Sequence, residues 1–227
     1  MGPRRHGLPA HVPKPPPLAA AMRASFPRSL FFLLSGLLLF AAPTARALSV
    51  IPPTFAELVA ESESIVRGEV TAVRSAHDDD SPGRPIRTYV TFDVVRTLKG
   101  VTPAAGTLTL VFLGGTVGPD TLSIPGMPAF SLGDREILFV ARNGKTYCPL
   151  IAAGHGRYRI LRDAATQRDY VARENRTPLE DPEEVVLPLT GSDVVARLKS
   201  PARALSPEDF ETRISRAVTG PTVPAVP

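Results

Sequence analysis

From Ile65 to Ser75 the chain sets Val66, Gly68, Val70 and Ala72 against Arg67, Glu69 and Thr71. A period of two with one apolar set predicts a half-buried antiparallel strand. Gly68 inside that run predicts a bulge or sharp bend. The same alternation returns from Ile86 to Leu98, with Val90, Phe92 and Val94 inward and Thr91 and Asp93 outward. A third strand follows, in which Leu108, Leu110 and Phe112 alternate with threonines. Residues 136–142, EILFVAR, are nearly continuous in apolar character and predict a strand buried on both faces. Asn143-Gly144 comes next, a strong hairpin signal. A two-residue turn there would set Arg142 against Lys145, Val140 against Tyr147 and Phe139 against Cys148. Residues 156–162 and 168–172 predict one more hairpin around a polar loop.

Helical spacing is confined to the flanks. Thr54-Phe55-Ala56-Glu57 is a capping box opening a short helix whose apolar face is Phe55, Leu58 and Val59. Ser206-Pro207-Glu208-Asp209 is a second start signal, with Ser as N-cap and Pro at the first helical position. Leu205 and Phe210 are spaced as a staple, and Phe210, Ile214 and Val218 share one face. A further short helix is predicted over 192–199, and residues 220–227 read as a frayed tail. Residues 175–188 are acidic and proline-punctuated, without periodicity. The sum is a mainly β protein: a small antiparallel barrel with a short N-terminal helix and one or two C-terminal helices.

The first 47 residues stand apart from this pattern. Leu30 to Ala42 is a short apolar run behind Arg23 and Arg28, ending in Ala45-Arg46-Ala47. Basic region, apolar region and small-x-small site together predict a secretory signal peptide over 22–47, too short for a transmembrane helix. Signal peptides begin near their charges, so Met22 is the expected start, and residues 1–21 read as an over-extended gene start or a disordered extension. The residue directly after the cleavage site is Leu48 and not a cysteine, which excludes lipid attachment there. The expected destination is the periplasm or the medium, without stable membrane insertion after cleavage. The mature segments are then a β-barrel domain over 48–190, a helical segment over 191–219 and the tail.

Cleavage also changes the charge picture. Six of the 26 Lys and Arg residues lie before Leu48 and none of the 22 acids does, so the mature 180 residues carry a net charge of −2. The high isoelectric point of the whole chain belongs to the leader, and nucleic-acid binding loses its support. A single cysteine, Cys148, forbids an intrachain disulfide, so stability must come from the core.

Candidate chemistry is sparse. His77 and His155 are the only histidines after the leader. Cys148 with His155 could form a nucleophile–base pair; the alternative is a buried cysteine beside a loop histidine. They supply too few ligands for zinc. Asp78 and Asp80, in the run Asp78-Asp79-Asp80, are a candidate for Ca²⁺, but they lack loop-motif spacing and also fit a solvated acidic tip. No phosphate loop, dinucleotide fingerprint or serine elbow occurs, and no cofactor is implied. The segment Gly114–Gly133 joins two strands, carries Leu122, Ile124, Met127 and Phe130 among prolines and glycines, and has no Lys or Arg. Such a loop is either a plug for one end of the barrel or a binding edge.

With these strands laid out, the progression Phe55–Val59, Ser64–Val70, Tyr89–Phe92, Leu98–Gly100 and Phe130–Val140 resembles a group of uncharacterised secreted bacterial proteins. More distantly it is similar to the OB-type barrel of netrin-like modules, including tissue inhibitors of metalloproteinases. The resemblance implies an OB-like barrel over residues 55 to about 162. It does not carry inhibition, because those inhibitors chelate zinc through an N-terminal cysteine and this chain would begin Leu48-Ser49-Val50. The first functional expectation is therefore a secreted, non-enzymatic binding module with a protein or other partner outside the cytoplasm. The alternatives are a modulator of an exported protease and a cysteine-dependent enzyme using Cys148 and His155.

Overall fold

The computed structural model describes residues 51–189 and 199–220. The predicted signal peptide, the helix expected over 192–199 (all but Lys199) and the last seven residues lie outside the described residues. Helix α1 (Phe55–Glu61) begins at the expected capping box: Thr54 Oγ1 accepts from Glu57 N–H, and Thr54 N–H donates to the Glu57 carboxylate at 2.7 Å. It is followed by strands β1 (Ser64–His77), β2 (Ile86–Lys99) and β3 (Thr107–Leu113). A small hairpin, β4 (Gly115–Val117) and β5 (Asp120–Leu122), precedes β6 (Arg135–Val140), β7 (Arg157–Arg162) and β8 (Asp169–Arg173). Short 3₁₀ turns occupy Ala153–Gly156 and Pro182–Val186, and helix α2 (Pro207–Thr219) closes the described chain.

Six strands form one antiparallel sheet in the order β3-β2-β1-β6-β7-β8. The central strands are buried on both faces. Ile65, Ile137 and Phe139 join Tyr158, Ile160, Val171, Phe55, Leu58, Phe210 and Ile214 in a core roofed by α1 and α2. Their chain neighbours Val66, Leu138 and Val140 point the other way, into a second core with Val70, Val90, Phe92, Leu110 and Phe112. This is why EILFV reads as a continuous apolar run. Helix α2 is also held by charge: buried Glu211 accepts from Arg67 at 3.1 Å and from Arg96 at 2.8 Å. The aperiodic segment 175–188 joins the first core, because Leu179 and Val185 are fully buried beneath the 3₁₀ turn.

The expected closed barrel is not what forms. Strands β3 and β8 stay at opposite edges of an open sheet, and each edge is covered by irregular chain rather than by the other. On β3, Leu113 N–H donates to Tyr147 O at 2.8 Å, and the Asn143 amide accepts from Val111 N–H and donates to Thr109 O. On β8, Leu179 N–H donates to Val171 O and Val171 N–H donates to Leu205 O, both at 2.9 Å. Covered edges remove the drive to close or to recruit another strand.

Two register expectations are corrected. Lys145 N–H does bond to Arg142 O around Asn143-Gly144, yet of those two central residues only Gly144 has positive φ, at 76°. Such a turn splays its arms where a twisted hairpin turn would pair them. Pairing resumes as Val140 with Leu150, not Val140 with Tyr147. Strand β1 shifts register against β2 at three places, one of them beside Gly68, where a Cβ would lie 2.8 Å from Asp93 O. The shift between Val70 and Ala72 turns Ala72 out to solvent and sends Val73 to the face of Val90.

Candidate functional site

The β1 shift and the Gly114-Gly115 pair together build a cleft. Beyond the shift, Val73 pairs with Val90 and Ser75 with Thr88, so these four side chains point to the face of the second core. At the end of β3 the chain must double back over that face. Gly114 and Gly115 allow it with φ of 104° and 132°. Neither position admits a Cβ: at Gly114 it would lie 2.8 Å from Leu122 O, and at Gly115 it would lie 2.4 Å from both Ser75 Oγ and Thr88 Oγ1. The hairpin β4–β5 and the segment through Phe130 then form the opposite wall. The cavity between them has a volume of about 470 Å³, within the usual range for small-molecule pockets.

Leu122, Ile124, Met127 and Phe130, singled out from the sequence as a plug or an edge, all line this cavity with Val73, Val90 and Phe112. Phe130 packs inward from this wall. Its half-buried ring lies edge-on to Phe92 at 5.6 Å and against Phe112 at 5.2 Å. Leu122 and Ile124 are wall. Hydroxyls of Ser75, Thr88, Thr116, Thr121 and Ser123 supply the polar lining; two of them form a string in which Thr88 Oγ1 donates to Gly114 O at 2.7 Å and Ser75 Oγ lies 2.9 Å from Thr88 Oγ1. Val73, Ser75 and Thr88 are the site residues that strict alternation misses. A bulge exchanges the two faces of a strand without any mark in the hydrophobic pattern.

Behind Phe130 stands a buried ion cluster. Arg157 is fully buried on β7, with its guanidinium carbon 3.9 Å from the Phe130 ring centre and Nη1 donating to Ala129 O at 2.7 Å. Its remaining partners are Glu136 at 2.6 Å, Glu174 at 3.0 Å and Asp134 at 3.3 Å. Burial pushes the Glu136 carboxyl up to about 7 against the pull of Arg157, and burial also raises Glu174. With Arg159 alongside, three carboxylates face two guanidinium groups. No solvent reaches Arg157 or Glu136, so these two hold the wall behind Phe130, while Asp134 and Glu174 remain partly exposed.

The other candidates separate. Cys148 is buried in the second core, and burial pushes its thiol up to about 11. His155 places Nδ1 2.9 Å from Val185 O, with burial lowering its affinity for a proton. The two form no hydrogen bond with each other, and a thiol held protonated is not a nucleophile. Asp78 accepts from Ser81 Oγ and from Arg87 Nε, which hold its carboxyl below the usual range, while Asp79 pairs with Arg84 at 2.6 Å and Asp80 is exposed. Among the described residues no three His, Cys, Asp or Glu side chains are grouped to hold a metal, and no helix is long and apolar enough to cross a membrane. No protein-family model and no curated protein matches the chain.

Proposed function

We propose that this protein is an exported, non-enzymatic binding module whose ligand seat is the cleft between the β1–β2 strands and the Gly114–Phe130 segment. The observation that carries the reading is the lining: apolar walls, a few hydroxyls and, among the described residues, not one ionisable side chain. Acid–base and nucleophilic catalysis need titratable groups aimed at a substrate, whereas recognition needs a shaped apolar surface with few polar contacts. Export follows from the leader, and a sheet with covered edges suits a protein that must stay folded without a disulfide.

The test is native mass spectrometry of the full chain against small-molecule extracts of the extracytoplasmic fraction, with Ile124→Arg as the blocking variant. Ile124 is half-buried on a loop, so a cation there should fill the cleft and leave the melting temperature within a few degrees of wild type. Uptake of a small molecule that Ile124→Arg abolishes is expected. Uptake untouched by Ile124→Arg removes the cleft as the seat. Turnover by purified protein that Cys148→Ala abolishes would overturn the non-enzymatic reading.

A further inference from the structure

The hydroxyl string in the cleft has a direction, and the direction selects a ligand class. Thr88 Oγ1 gives its only proton to Gly114 O, a carbonyl that can only accept. Facing Ser75 at 2.9 Å, Thr88 Oγ1 can therefore act only as acceptor, and Ser75 Oγ must be the donor. The Ser75 proton is thereby used, and what Ser75 still offers is oxygen lone pairs. Chained hydroxyls polarise one another, which sharpens this polarity. Among the described residues no lining residue carries a charge to meet an anion. The nearby guanidinium of Arg157 is no anion receptor either, being fully buried and occupied by Ala129 O and three carboxylates. At the nearby loops, His77 and Asp120 face each other at 3.7 Å.

We infer that the cleft takes a neutral amphipathic small molecule, its apolar body against Val90, Phe112, Ile124 and Met127 and a hydrogen-bond donor, hydroxyl or amide, on Ser75 Oγ. The inference rests on the cleft being the ligand seat and adds the class of ligand. An ionised carboxylate seated at Ser75 is disfavoured twice: it presents only acceptors to an acceptor there, and it must shed water against uncharged walls.

Three probes of matched size separate these statements: 1-octanol, its isomer heptyl methyl ether, and octanoate at pH 8. Binding to the full chain is followed by NMR through the methyl groups of Ile124 and Met127. Octanol is expected to bind about fivefold more tightly than the ether, the worth of one neutral hydrogen bond. Octanoate is expected to be weaker than octanol by about a hundredfold. Ser75→Ala should bring octanol down to the affinity of the ether and leave the ether unchanged, the unchanged ether showing that the cleft is intact. Thr88→Ser, which keeps the string, should preserve the preference. Equal binding of octanol and ether by wild type, or a preference that survives Ser75→Ala, overturns the donor assignment while leaving the cleft as a seat. Octanoate binding as tightly as octanol overturns neutrality. Failure of all three probes to shift the methyl resonances removes the cleft reading and this inference with it.

Discussion

Replacing Glu136 by Gln keeps the shape of a fully buried side chain on β6 and removes its charge. In the wild-type cluster Asp134, Glu136 and Glu174 face Arg157 and Arg159, so full ionisation leaves one negative charge uncompensated in the interior. Burial accordingly raises Glu136 from 4.5 to about 7, although Arg157 donates to it at 2.6 Å. The folded chain therefore keeps a proton that the unfolded chain has released across that window. Its stabilising contribution is complete below pH 4.5 and is lost as pH rises through 7. The gap between 4.5 and about 7 corresponds to about 3 kcal/mol. Glu136→Gln has no such proton to lose, so its stability should match wild type at pH 5 within about 1 kcal/mol and exceed it at pH 9 by about 3 kcal/mol. Only the difference between the two proteins is diagnostic. His155 acts with the opposite sign: its folded proton affinity is lowered by burial, so its contribution is lost as pH falls from 6.5 toward the lowered value. Urea unfolding followed by circular dichroism at pH 5, 7 and 9 gives the comparison, with an unchanged m-value showing that only stability moved. If the advantage of Glu136→Gln over wild type does not grow between pH 5 and pH 9, the account of Glu136 as a carboxyl kept protonated by burial is wrong.

Phe130→Ala removes a ring packed on Phe92, Phe112 and Arg157, and should lower stability by about 3 kcal/mol, the low end for a buried Phe because this ring is half-exposed. A loss under about 1 kcal/mol in a urea titration would make Phe130 a surface residue and revive the binding-edge reading for it. Asn143→Ala deletes two of the three bonds described on the β3 edge and should lower stability by about 2 kcal/mol, with faster amide exchange confined to Val111 as the local readout. Cys148 should label slowly with a thiol reagent at neutral pH in the native protein and rapidly in denaturant, since burial holds its thiol protonated. Fast native labelling would bring the cysteine chemistry back into play.

Local chemistry written in a few adjacent residues was legible in the chain itself. The capping box at Thr54 and the Ser206-Pro207 start form as read, because a cap is satisfied within three residues of itself. Strands β1 and β2 and the doubly buried EILFV follow directly from hydrophobic period. So did the interest of Gly114–Gly133, since apolar residues without cations in a long loop have to face something. Tertiary structure decided the rest, through contacts between residues far apart in sequence. Asn143 spends its amide on β3 and not on its own hairpin, 32 positions from Val111. The β1 shift moves Val73 and Ser75 to the cleft without altering a single residue type. Arg157, an outward strand position by alternation, is buried because carboxylates from β6 and from the chain after β8 converge on it. The sheet stays open because its edges are met by loops whose backbone direction no local pattern encodes. Caps and periods are short-range energies; which face a bulged strand presents, and which edge a loop covers, is settled only by the packing of the whole chain.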